Sequence, residues 1–272
     1  MPSVDFVKLG GSLITDKTKP FTARDDVIAR LSREIAESWE ARDRRIVIGH
    51  GSGSFGHVAA ERSGLLADDS AASVAEGASQ TQRAAHALHR RVTEALRDAG
   101  IPVFSFAPSS GVLASGDEPV DAYVEPMRRA LELGAVPVTL GDVVMDRERG
   151  VTICSTETVF RALIEGLEAQ DVSTRRALWF GDTDGVYDAE GETIDELTPD
   201  RIDQFFEEVD APSGTDVTGG MRHRLQTTGA LARHGVPSLI TSGLEAGRLR
   251  RALRGDPVIG TEVRPEKSTS NE

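Results

Sequence analysis

Short apolar runs alternate with amphipathic segments of helical spacing along nearly the whole chain. Val4–Leu9, Ile46–Gly49, Val103–Phe106, Val136–Leu140, Arg176–Phe180, Ser238–Ile240 and Pro257–Ile259 read as strands. Arg24–Arg42, Val74–Ala99, Ala122–Leu133, Thr158–Leu167, Pro199–Glu207, Met221–His234 and Ala246–Leu253 carry helical periodicity. Val143–Met145 and Val151–Cys154, on either side of Asp146–Gly150, read as a hairpin. Strands that alternate with helices need crossover connections. They therefore specify the α/β class, a three-layer αβα sandwich around a mostly parallel central sheet. Such sheets bind ligands beyond the carboxyl ends of their strands. The turns after Leu9, Gly49, Leu140 and Phe180 all fall at that edge and are glycine-rich or acidic.

A chain of 272 residues can bury one large domain or two intimate lobes. No apolar run approaches the roughly 18–20 residues that span a bilayer. The N-terminus reads as a strand containing Asp5 and Lys8, not as a signal peptide. Cys154 is the only cysteine, so no intrachain disulfide can form; it reads as a small buried hydrophobe, and a cytoplasmic location is expected. The net charge of −13 and pI near 5.0 argue against nucleic acid or an anionic membrane as partner. Only four lysines occur (Lys8, Lys17, Lys19 and Lys267), three of them in the first 19 residues. Acidic excess with scarce lysine fits a salt-adapted cytoplasm or a genome that favours arginine codons.

Several turns carry groups suited to phosphate. Lys8-Leu-Gly-Gly-Ser12 places a lysine at the end of a buried strand, where an ammonium is costly unless an anion meets it. Gly10 and Gly11 free the backbone beside it to wrap phosphate oxygens, and Lys17 follows in a polar loop. His50-Gly-Ser-Gly-Ser-Phe-Gly-His57 combines close backbone approach, bare N–H groups and a histidine at each end. The same stretch reads G-x-G-x-x-G (Gly51, Gly53, Gly56), the dinucleotide fingerprint. That reading needs a ribose-binding acid at the end of a following strand. Asp68 and Asp69 stand at about the right distance, with no apolar strand before them. Gly181-Asp182-Thr-Asp184-Gly185 suits a ribose or hydrated Mg²⁺, or is a plain acidic turn. Gly219 and Gly220 open a helix with Arg222 and Arg224 in its first turn, an anion-binding geometry or an ordinary cap using Thr215 or Thr218.

In this order, over nearly the whole chain, these segments resemble the amino acid kinase superfamily and, within it, the isopentenyl phosphate kinase family. Lys8–Lys17 resembles the opening ATP motif, and His50–His57 the substrate motif, whose terminal histidine sets that family apart. Gly181–Tyr187 and Asp216–Met221 resemble the nucleotide-binding segments. The resemblance implies one amino acid kinase domain over 1–263, with an acceptor-binding lobe about 1–170, an ATP-binding lobe about 171–263 and a disordered tail 264–272. It implies transfer of the γ-phosphoryl of ATP, with Mg²⁺, to isopentenyl phosphate in a mevalonate-type isoprenoid pathway, by a homodimer. Lys8, Lys17 and His57 would be catalytic. Gly51, Ser52, Gly56 and His57 would bind the acceptor. Lys8, Gly10, Gly11, Ser12, Gly53, Asp182, Gly219, Gly220 and Arg224 would bind ATP, and Glu157 would orient the lysines; no residue is assigned as a metal ligand. His50 has no matched role and reads as a strand-end residue. Three positions depart from the family pattern: Ser52 stands for a glycine, Glu157 for an aspartate, and Arg224 for a lysine. Phe104, Phe106, Tyr123 and Ile153 are candidate linings for a prenyl tail and equally readable as core. Another small phosphate or phosphonate as acceptor, as in the fosfomycin kinases, or a nucleotide-binding regulator without catalysis, remain open as alternatives.

Overall fold

The computed structural model describes residues 3–39, 45–65, 71–209 and 219–266. In chain order the strands are β1 (Val4–Leu9), β2 (Arg45–His50), β3 (Val103–Ser105), β4 (Val112–Ser115), β5 (Glu118–Ala122), β6 (Val136–Leu140), β7 (Asp142–Asp146), β8 (Gly150–Cys154), β9 (Thr174–Gly181), β10 (Glu196–Leu197), β11 (Ser238–Ser242) and β12 (Thr261–Val263). The helices are α1 (Gly11–Ile14), α2 (Asp25–Trp39), α3 (Gly53–Ser63), α4 (Ala71–Asp98), α5 (Glu125–Glu132), α6 (Thr156–Glu168), α7 (Pro199–Val209), α8 (Gly219–Arg233) and α9 (Arg248–Arg254).

Eight strands form the central sheet in the order β10-β12-β11-β9-β1-β2-β6-β3, parallel except where β12 runs against β11. All six residues of β1 are buried, and their alternation divides the core. Val4 and Phe6 face a cluster with Phe160 of α6, Trp179 of β9 and Leu225 of α8. Val7 and Leu9 face the opposite cluster, against Ile28, Leu31 and Ile35 of α2, Leu88 and Val92 of α4, and Leu249 of α9. Helices therefore cover both faces, as the alternation of elements requires. The register sets Leu9 beside His50 and Phe180, and His50 beside Leu140, so four central strands end at one level.

A second, four-stranded sheet, β5-β4-β7-β8, lies outside this layer. The expected hairpin is its β7–β8 pair, antiparallel from Asp142↔Cys154 to Asp146↔Gly150. Its β4–β5 hairpin was not expected, and it shortens the helix read from Ala122 onward. Ala122 closes β5, and α5 begins only at Glu125, with Pro126 in its first turn. The closing strand also lies later than Pro257–Ile259. Pro257 has no N–H to give a ladder, and the pairing with β11 begins at Thr261. Beyond it the Arg264 N–H donates to the Leu197 carbonyl at 3.0 Å. Residues 267–272, the rest of the expected tail, lie outside the described residues.

Candidate active site

Two backbone turns meet at the level where β1 and β2 end. A Cβ on Gly11 would lie 2.6 Å from the Gly53 nitrogen, and one on Gly51 would lie 2.7 Å from the Gly11 nitrogen. Only glycines allow this approach, and Gly53 also holds a left-handed φ of 49°. Buried Thr15 locks the contact: its hydroxyl donates to the Gly11 carbonyl at 2.7 Å and accepts from the Ser54 N–H at 3.1 Å. The turns thereby bring the N-terminus of α1, at Gly11 and Ser12, against that of α3, at Gly53. First-turn N–H groups have no intrahelical acceptor, so this junction presents bare donors suited to phosphate. The expected glycines and Ser12 are thus assembled in one place.

Beside the junction sits a buried charge cluster. Lys8 shares the face of β1 that carries Phe6, which points it toward α6 and α8. Its ammonium bonds the Glu157 carboxylate, and both side chains are buried. Glu157 lies in the first turn of α6, whose cap is Ser155, with its hydroxyl accepting from the Thr158 N–H. Arg224, from the first turns of α8, brings its Nε to 3.6 Å from the same carboxylate oxygen. That Nε is buried and makes no hydrogen bond. The guanidinium lies over the end of β9, where a Cβ on Gly181 would be 3.2 Å from Nη1. Two cations thus face one carboxylate, and the buried excess of positive charge calls for an anion. Burial pushes Lys8 down to about 8, against the pull of Glu157 and with the push of Arg224. Burial would raise Glu157, but Lys8 and then Arg224 outweigh it and hold the carboxyl at about 2.

The nucleotide segments border this cluster. Asp182 is exposed at the end of β9. The Thr183 hydroxyl beside it is buried without a hydrogen-bond partner, while Asp184 is held by the Arg248 guanidinium. Gly219 and Gly220 are the first residues of α8, and a Cβ on Gly220 would meet nothing within 4 Å. Residues 213–218 of that motif lie outside the described residues. An orphaned Arg224 Nε and an orphaned Thr183 hydroxyl beside the first turn of α8 fit a nucleoside triphosphate.

On the acceptor side, His57 is exposed on α3, in the turn after Gly53. Gly56 makes room for the Ser52 side chain, since a Cβ there would lie 2.1 Å from the Ser52 hydroxyl oxygen. Lys17 stands on an exposed loop closed by the Thr15↔Ala23 bridge, with no contact to Lys8 among the described residues. The dinucleotide reading fails on topology: α3 is followed by α4, not by a strand that could end in a ribose-binding acid. Asp68 and Asp69 themselves lie outside the described residues.

Residue patterns missed three supports. Thr15 is one. Thr156 is another: its hydroxyl donates to the His50 carbonyl at 2.7 Å and ties α6 to the end of β2. The third is a buried contact of His50 with His89, for which the only sequence signal is the pair His86 and His89 on one face of α4. Among the described residues, no three His, Cys, Asp or Glu side chains cluster to hold a metal.

Two cavities border α4. One, of about 800 Å³, lies between α3 and α4 and includes Arg62, Arg83, Arg90 and Phe21. The other, of about 500 Å³, lies between α4 and the β7–β8 hairpin and is lined by Val74, Ala78, Val143, Met145 and Val151. Phe104, Phe106, Tyr123 and Ile153 line neither; Phe106 is core, and Tyr123 is 63% exposed.

A mostly parallel sheet with bare helix N-termini and buried cations at its carboxyl edge defines an enzyme that handles phosphate esters. The profile of the amino acid kinase family matches residues 6–242, and the chain belongs to that family. It is 32% identical over 268 residues to an isopentenyl phosphate kinase of Methanothermobacter thermautotrophicus, covering 94% of this chain and 97% of that one. It is 33% identical over 232 residues to an isopentenyl phosphate kinase of Haloferax volcanii, covering 84% and 88%. A crystal structure of an isopentenyl phosphate kinase superposes with a TM-score of 0.79 at 27% identity, over 96% of this chain and 99% of that one.

Proposed function

We propose that the chain transfers the γ-phosphoryl of ATP to isopentenyl phosphate, giving isopentenyl diphosphate. The observation that carries this reading is that the Lys8–Glu157–Arg224 cluster lies at the strand ends beside the turn leading into α3 and His57, in a chain whose relatives include isopentenyl phosphate kinases. Phosphoryl transfer asks little covalent chemistry of the protein; two anions must be held in line and the migrating charge neutralised. In this reading Gly11, Ser12 and Gly53 hold phosphate oxygens of ATP through their N–H groups, while Gly10, whose own N–H is taken by the Phe180 carbonyl at 2.7 Å, shapes the turn beside them. Lys8 and Arg224 supply the charge, and Glu157 keeps both side chains aimed. Asp182, Gly219 and Gly220 contact the nucleotide. Gly51, Ser52, Gly56 and His57 form the acceptor side, with His57 donating to the acceptor phosphate. Lys17 would reach the transferred group by closure of its exposed loop.

The prenyl tail would occupy the smaller cavity. Its lining is mostly apolar, with Gln82 and Arg149 at its polar margin, and β7 enters it directly after Gly141, whose N–H donates to the His50 carbonyl at 3.1 Å. The larger cavity, with three arginines, suits hydrocarbon poorly. Mg²⁺ would arrive on the phosphates of ATP, since the described side chains offer it no cage of their own. The same reading takes 1–263 as one domain with acceptor and ATP lobes about 1–170 and 171–263, in a cytoplasmic, salt-adapted homodimer. The acidic balance and the Haloferax relative support the salt adaptation.

A coupled ADP-release assay with isopentenyl phosphate, Mg²⁺ and high KCl tests the reading. Turnover on that acceptor is expected, and turnover only on other phosphates or phosphonates would move the acceptor class. ATP binding without turnover on any of them would remove the kinase reading. His57→Ala should lower acceptor-dependent turnover about 100-fold while ATP still binds.

A further inference from the structure

We propose that Ser105, His89 and His50 form a one-way hydrogen-bond chain that fixes the acceptor loop, with His89 and His50 as positioning residues for the acceptor phosphate. The substrate in this statement rests on the kinase reading; the chain itself rests on geometry.

The protons can be placed from one end. His50 closes β2, and its Nδ1 lies 3.2 Å from the Gly51 carbonyl oxygen. A carbonyl only accepts, so Nδ1 carries the proton. Nε2 of a neutral ring must then accept, and its partner is His89 Nδ1 at 2.9 Å. His89 is therefore also protonated on Nδ1, and its Nε2 accepts from the Ser105 hydroxyl at 2.7 Å. The two rings are tilted by 23° with centroids 5.1 Å apart. With bonded nitrogens 2.9 Å apart, that is edge-to-edge bonding rather than stacking of faces.

Neutrality of both rings is supported by their surroundings. His50 is fully buried and His89 is 6% exposed. Burial, against the pull of the Gly51 carbonyl and with the push of His86, holds His50 at about 4; burial, His50, His86 and Arg97, against the pull of Asp142, hold His89 at about 3. His86 is shifted the other way, upward, chiefly by its bond to Asp142 and against its partial burial.

The far end of the chain is a peptide group of the acceptor loop. In a trans peptide the C=O and N–H point in opposite directions. Holding the Gly51 carbonyl toward His50 therefore turns the Ser52 N–H away from it. The preceding peptide is fixed as well, with the Gly51 N–H on the Leu9 carbonyl at 3.0 Å and the His50 carbonyl held by Thr156 and Gly141. With the neighbouring peptide fixed, the histidine chain sets the orientation of the Gly51–Ser52 peptide and so of the Ser52 N–H. It also anchors that donor to β3, the edge strand that carries Ser105.

Two measurements decide this. Long-range ¹H–¹⁵N correlation spectra of the wild-type protein should show His50 and His89 neutral and Nδ1-protonated at pH 6. A Nε2-protonated His50, or an imidazolium at either position, overturns the chain and needs no variant to fold. In kinetics, His89→Leu should raise KM for isopentenyl phosphate about tenfold and KM for ATP less than about twofold. His89→Asn, whose amide nitrogen takes the place of Nδ1, should recover most of the loss. Equal rises in both KM values, or no difference between Leu and Asn, overturn the positioning role. If the wild type turns over no isopentenyl phosphate, the kinase reading fails, and the spectra still decide the chain.

Discussion

Glu157 divides one negative charge between Lys8 and Arg224, and this shapes the protonation of the buried Lys8. Lys8 is already pushed down to about 8, chiefly by burial, and Glu157 is the group that pulls it back up. Glu157→Gln removes that pull and leaves the push of Arg224. The folded Lys8 should then lose its proton at lower pH, by about 1 unit or more. Since the protonated ammonium is the form that meets phosphate, kcat/KM of the wild type should fall as pH rises through about 8. In Glu157→Gln this basic limb should move to lower pH; a pH–rate profile with an unmoved limb would take Lys8 out of the titration. Lys8 was legible as a charge at a strand end and Arg224 as one in the first turn of a helix, whereas Glu157 was reached only through the resemblance to the kinase family. Thr15 and Thr156 were not legible, because each acts through a hydroxyl bonded to the backbone of another element, which no local pattern records. His50 read as a strand-end residue because its partner His89 lies on α4, 39 residues away.

The helices α1 and α3 meet backbone to backbone where they begin, and the contact is steric. A Cβ on Gly53 would lie 2.2 Å from the Thr15 hydroxyl oxygen and 2.8 Å from the Gly11 carbonyl oxygen, at a φ of 49°. None of those atoms can yield without opening the phosphate junction. Gly53→Ala should therefore destabilise the fold by about 2 kcal/mol or more, read as a lower denaturation midpoint at unchanged slope. It should also lower activity beyond what the lost stability explains, in an assay run well below the midpoint. A fully stable, active Gly53→Ala protein would show that the turns are not in contact. The sequence anticipated the glycines here but not that α3 starts at Gly53 itself, which lifts His57 onto a helix. Elsewhere, strands with continuous apolar runs were legible. β4 and β5 were not, because Glu118-Pro-Val-Asp-Ala carries too little apolar periodicity to announce a strand.

For the molecule as a whole, alternation of elements settles the layers, while strand order depends on partners far apart in the chain. Nothing local places β9 next to β1 or leaves β3 at the edge. The charge balance acts at the same scale. Acidic residues number 44 against 31 basic ones, leaving a net charge of −13 spread over one molecule. Salt works on this in two opposed ways. It weakens exposed ion pairs such as Arg91–Asp25, Arg250–Glu37 and Arg264–Glu262, which contribute little even before screening. It also screens repulsion among all the excess carboxylates, which extends over many pairs at distances of tens of ångströms. The Debye length shrinks from about 30 Å at 0.01 M to about 3 Å at 1 M, so the long-range repulsion is removed almost entirely while close pairs keep part of their attraction. Repulsion is the larger loss, and Tm should rise by about 2–5 °C between 0.01 and 1 M KCl. Potassium chloride is the right titrant because sulfate would strengthen apolar burial as well. A Tm that stays level or falls over this range would mean that the ion pairs, not the net charge, govern the electrostatics of the fold.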